Sequence, residues 1–144
     1  MKKKRILAMV LAVASCLSLA VGASAANSTT RKAMDFKDYD AKAWYAEAVS
    51  AAVDNGLLYG KSSTIIDPNG DMTRAEMAAI INRSFGCYKV ADISQYKDVS
   101  KSKWYYKDVG LSVQMGTYNG RSSSSMAPDA PISRQEAMTV VARA

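Results

Sequence analysis

The chain has 144 residues, 19 basic and 13 acidic side chains, a formal charge of +6 and no histidine. Four of the basic residues are Lys2, Lys3, Lys4 and Arg5. The other 15 nearly balance the 13 acids, so the charge does not argue for nucleic acid. Without histidine, His-based triads and His-liganded metal sites are excluded.

The first element is an address. Lys2 to Arg5 precede an apolar run, Ile6 to Val21, broken only by Ser15, Cys16 and Ser18. Ala23-Ser24-Ala25 then supplies small residues for cleavage, the layout of a secretory signal peptide over 1–25. A membrane-spanning helix wants about 20 apolar residues, and this run falls short of that. Lipidation at Cys16 is an alternative reading, weakened because apolar residues continue past it to Val21. Cleavage of 25 residues from 144 leaves 119, enough for one small domain. Only Cys87 then remains, so no internal disulfide can form and stability must come from packing.

A short segment, 26–35, leads into a repeat. Residues 36–83 return as 96–143 at an offset of 60 with no gap, and 14 of the 48 positions are identical. Such self-similarity means one supersecondary unit used twice. The spacing places repeat 1 at 36–84, a linker at 85–95 and repeat 2 at 96–144. Each unit reads as helix, structured loop, helix. The first helices are expected near Ala43 to Asn55 and Lys103 to Met115, with Asp40 and Ser100 as N-caps. Trp44, Ala48, Ala51, Ala52 and Asn55 fall near one face, widened by Val49 and Val53. Gly56 and Gly116 stand where a left-handed residue would end each helix.

The middle loops carry Gly60 and Pro68, copied as Gly120 and Pro128. Thr64-Ile65-Ile66 reads as a short extended segment pinning the loop to the core. The second helices have the clearest start signals. Thr73-Arg74-Ala75-Glu76 and Ser133-Arg134-Gln135-Glu136 both fit the capping box, in which hydroxyl and carboxylate satisfy each other's backbone amides.

Phe36-Lys37-Asp38, Trp44-Tyr45, Gly56, Gly60, Asp67-Pro68 and Met72-Thr73-Arg74-Ala75-Glu76 together resemble the S-layer homology (SLH) domain. Tyr96-Lys97-Asp98-Val99, Trp104-Tyr105 and Ile132-Ser133-Arg134-Gln135-Glu136 are similar to a second repeat of it. The resemblance implies a mainly α fold, tandem helix-loop-helix repeats forming part of a pseudo-threefold helical bundle. It also implies non-covalent anchoring to the bacterial cell wall, through an anionic or pyruvylated secondary polysaccharide attached to peptidoglycan. The family usually has three repeats and this sequence holds two. A homo-oligomer, or a third repeat supplied in trans, is therefore left open. So are two other roles: the anchor of a surface enzyme such as a wall hydrolase, and a self-assembling surface-layer protein.

The residues themselves suit an anion. A helix start offers free amides and positive dipole, and arginine binds carboxylate through two parallel hydrogen bonds. Arg74 and Arg134 are accordingly read as glycan contacts in preference to solvated arginines paired with acids. Lys61 and Arg121 add charge beside Gly60 and Gly120, glycines that serve backbone geometry and leave room for a ligand. Trp44 and Trp104 are read first as core, with one edge able to stack on a sugar. Thr73, Glu76, Ser133 and Glu136 are structural caps, and Asp38 and Asp98 fix the turn before the first helix. Glu76 and Glu136 are the only repeated glutamates, so no carboxylate pair for glycoside hydrolysis stands out. Neither a catalytic residue, a metal site nor a cofactor is expected.

Overall fold

The computed structural model describes residues 31–144, so the signal-peptide reading lies outside the described residues. A single turn of 3-10 helix at Ala33–Asp35 precedes four α-helices. These are α1 (Ala46–Asp54), α2 (Arg74–Phe85), α3 (Tyr106–Met115) and α4 (Arg134–Arg143). The described residues contain no strand, only an isolated bridge between Thr73 and Pro131. None of their helices is long and apolar enough to cross a membrane.

The starts of α2 and α4 follow the sequence closely. The Thr73 hydroxyl accepts from the Glu76 amide at 3.2 Å, and the Glu76 carboxylate accepts from the Thr73 amide at 2.8 Å. Ser133 and Glu136 repeat the exchange at 3.2 and 2.9 Å. Gly56 and Gly116, at φ 68° and 75°, end α1 and α3 in the left-handed region that glycine occupies without a Cβ clash.

The starts of α1 and α3 differ from expectation. Both begin three residues later, after Tyr45 and Tyr105, with no side-chain cap. Asp40 and Ser100 instead close a preceding turn, accepting from the amides of Lys42 and Ser102. That turn holds Trp44 and Trp104 off the helices, and their expected place in the core is overturned: they are 94% and 58% exposed. The next residue turns inward, and Tyr105 is fully buried. On α1 the inward residues are therefore Ala46 and Val53, with Val49 half-buried, while Ala48, Ala51 and Asn55 face out.

Asp38 and Asp98 do more than shape a turn. Asp38 accepts from the amides of Ile66 and Asp67, 28 and 29 residues away. Asp98 accepts from Met126, Ala127 and the Ser125 hydroxyl. Each carboxylate clamps the middle loop of its own repeat. The clamp falls where Asp67 and Ala127 adopt the left-handed region, at φ 58° and 52°. It also drives Ile66 and Met126 inward.

The two repeats share a core. Ala75, Ala78 and Ile81 of α2 pack with Ile93 of the linker and with Tyr96, Val99, Tyr105, Val109, Tyr118, Met126 and Val140 of the second repeat. A smaller cluster, Phe36, Val53 and Ile66, serves repeat 1 alone. Asn82 crosses from α2 to α3, donating to the Asp108 carbonyl and accepting from the fully buried Ser112 hydroxyl. The linker lies against α3 where Gly110 has no side chain; a Cβ there would meet Val90 Cγ1.

Candidate functional site

The expected site residues do not form one set. Arg74 is buried, 5% exposed, and its guanidinium is fully occupied by repeat 2. Nη1 pairs with Glu136 at 2.7 Å, Nε donates to the Met126 carbonyl at 3.0 Å and Nη2 to the Asn119 carbonyl at 3.2 Å. Its carbon lies 5.2 Å from the centre of the Tyr118 ring. The amides of Arg74 and Ala75, which would make the helix start an anion site, donate to the carbonyls of Ala130 and Pro128. The reading of Arg74 as a glycan contact is thus corrected to that of a junction residue. Arg134, its copy, is exposed.

Lys61 and Arg121 occupy matching places beside the capping glutamates. Lys61 pairs with Glu76 at 2.8 Å, and Arg121 with Glu136 at 3.2 Å. Burial alone would raise the Glu76 carboxyl. Hydrogen bonds from Lys61 and from the Thr73 amide and hydroxyl outweigh it and hold the group below its ordinary value. Glu136 is lowered chiefly by the Ser133 amide, against burial, with help from Arg74 and Arg121. Gly60 and Gly120 have no room for a side chain. A Cβ at Gly60 would stand 2.6 Å from both the Ile65 carbonyl oxygen and the Phe36 ring, and at Gly120 2.5 Å from the Tyr96 ring. These glycines set backbone geometry.

What the structure does bring together is a groove of about 490 Å³ at the boundary of the repeats. Val49, Leu58, Ile66 and Ile80 contribute apolar lining, and Lys61, Arg83, Asp67, Asp71 and Glu76 are the charged groups. Tyr59, Gly60 and Trp104 complete the aromatic and backbone surface. Lys61, Gly60 and Trp104 were legible from the sequence as candidates. Arg83 and Tyr59 were not. The Arg83 guanidinium lies 4.1 Å from the centre of the Tyr59 ring and donates to the Leu57 carbonyl at 2.9 Å. Its return as Arg143 was the one available signal. Trp44 and Trp104 each rest an edge on the following tyrosine, at 5.8 and 5.4 Å between centroids, which holds the indole while leaving much of it in solvent.

The S-layer homology domain matches at residues 35–78 and again at 95–138. The chain belongs to the SLH family. It is 35% identical over 114 residues to the surface-layer 125 kDa protein of Lysinibacillus sphaericus, covering 76% of this chain and 10% of that protein. It is 24% identical over 143 residues to an endoglucanase of Bacillus sp. (strain KSM-635), covering 98% of this chain and 15% of that enzyme. A cell surface protein of Thermoanaerobacter kivui is 27% identical over 147 residues, covering 98% and 18%. The SLH chain thus spans less than a fifth of each of these relatives. Shared membership with surface-layer and cell-surface proteins gives it a role in attachment at the cell surface.

Proposed function

We propose that this SLH chain is a non-catalytic wall anchor that binds a secondary, anionic cell-wall polysaccharide, with Trp104 and Trp44 as its sugar-stacking platforms. The observation that carries the reading is the exposure of an indole at the same place in both repeats. A large aromatic ring left in water costs burial energy it could have gained, and the adjoining tyrosine shows that an inward-facing position was available next to it. Lys61 and Arg83 are the cationic donors along the Trp104 groove for a carboxylate-bearing glycan, set among the carboxylates Asp67, Asp71 and Glu76. The recurrent glutamates, Glu76 and Glu136, are engaged in caps and ion pairs, which supports a binding role over hydrolysis.

Cosedimentation with wall sacculi, before and after chemical removal of the secondary polymer, tests the assignment. The native chain should pellet only with intact walls, and Trp44→Ala/Trp104→Ala should stay in the supernatant while keeping its helical circular dichroism. Unchanged pelleting of a folded double variant would remove the tryptophans from the site.

A further inference from the structure

The segment that enters the first helix of each repeat is built alike in both copies but charged differently. Over 37–47 it carries two lysines and three acids, Asp38, Asp40 and Glu47. Over 97–107 it carries four lysines, Lys97, Lys101, Lys103 and Lys107, and the single acid Asp98. Lys101, Lys103 and Lys107 stand where repeat 1 has Ala41, Ala43 and Glu47. All four lysines are exposed, and none forms an ion pair among the described residues. The face is clear of the packing between the repeats. Ala41 and Glu47 stay exposed in repeat 1, whose α2 is docked, and the lysines stay exposed in repeat 2, which receives it.

The nearby acids are largely engaged elsewhere. Asp98 turns its two carboxylate oxygens to the amides of Met126 and Ala127, and the Asp108 carboxylate accepts from Asn82 at 3.1 Å. Asp92 does answer the patch: its carboxyl is held below its ordinary value chiefly by the Ser94 amide, with Lys101 adding to the effect. Local stability does not call for so much positive charge. Lys107 sits in the first turn of α3, at the positive end of the helix dipole, where α1 carries Glu47 and an acid is favoured. Lys103 and Lys107 are four residues apart across the turn into that helix, and like charges so placed repel. An array that works against the fold, and that repeat 1 manages without, fits a partner of opposite charge.

We propose that Lys101, Lys103 and Lys107 form a docking face for a phosphodiester-linked polyanion, a polymer with a negative charge in each unit. The stretch holds no arginine, the residue whose planar fork suits a fixed carboxylate. Lysine meets phosphate as a point charge on a flexible stem, which suits successive units arriving in varied orientations. A polymer also fits better than a bilayer. Trp104 is the one exposed apolar side chain within 97–107, and its indole lies edge-on to Tyr105 and lines the groove, so no apolar wedge is left to enter a membrane. The proposal is separate from the groove, because Lys61, Arg83 and the indoles take no part in it.

Titration of the full chain with poly(glycerol phosphate) tests it. Binding should weaken about tenfold or more between about 50 and about 200 mM salt, as the release of counterions requires. Lys101→Gln/Lys103→Gln/Lys107→Gln should keep its native circular dichroism and lose about tenfold or more in affinity. Trp44→Ala/Trp104→Ala should bind the polymer as the native chain does, which separates this face from the stacking platforms. A native chain that does not bind at the lower salt overturns the proposal. So does a folded glutamine variant of unchanged affinity, or a folded tryptophan variant that no longer binds the polymer. Binding to phosphatidylglycerol vesicles that is as tight as binding to the polymer, or tighter, would assign the lysines to a lipid surface and equally overturn it.

Discussion

Arg74 and Arg134 occupy one position of the repeat, and replacing each by alanine should have very different effects on stability. Arg74→Ala removes an ion pair to Glu136, donors to two carbonyls and a cation over the Tyr118 ring, all at a buried site. Breaking a fully buried pair costs about 3–5 kcal/mol. Glu136 is partly solvated, with 28% of its side chain exposed, and keeps Arg121. The low end is therefore the better figure, about 3 kcal/mol. For a domain of this size that lowers Tm by roughly 10 °C. Arg134→Ala removes no side-chain hydrogen bond or ion pair among the described residues and should stay within about 0.5 kcal/mol. Urea unfolding of both variants measures the difference. Equal losses, or a stable Arg74→Ala protein, would refute the junction described for Arg74.

Trp44→Ala should leave the melting temperature within a degree or two of the native value, a change of about 0.5 kcal/mol or less, as calorimetry can show. Asp98→Ala should cost about 2–3 kcal/mol by releasing amides held by a charged acceptor, and hydrogen exchange should quicken first at Met126 and Ala127. Gly60→Ala combines a φ of 82° with a Cβ that has no space, and should destabilise by more than about 1 kcal/mol, read from chemical unfolding. Glu76, Asp98 and Glu136 all lie below their ordinary values in the folded chain. Their contribution is complete above the unfolded values, about 3.9 for aspartate and 4.3 for glutamate, and is lost as pH falls through the lower folded ones. Melting temperature should hold steady from neutral pH to about 5 and drop below about 4.

The repeat, the capping boxes and the glycine stops were legible because each is a local matter, decided within a few residues. The fate of Arg74 was not, because sequence symmetry does not extend to environment. One copy of the arginine has a repeat packed over it and, among the described residues, the other does not. Nor was the exposure of the tryptophans visible. It depends on where α1 and α3 begin, and the turns closed by Asp40 and Ser100 delay those starts by three residues. The loop clamps of Asp38 and Asp98 act across 28 residues and leave no local pattern beyond their recurrence.

Because α2 supplies Ala75, Ala78 and Ile81 to a core otherwise built by the linker and the second repeat, the second repeat cannot come apart without releasing that helix. A chain pulled from both ends would lengthen in stages if its modules were strung like beads. Here the shared core must rupture before the second repeat can extend, with the helix that joins the halves as its shear pin.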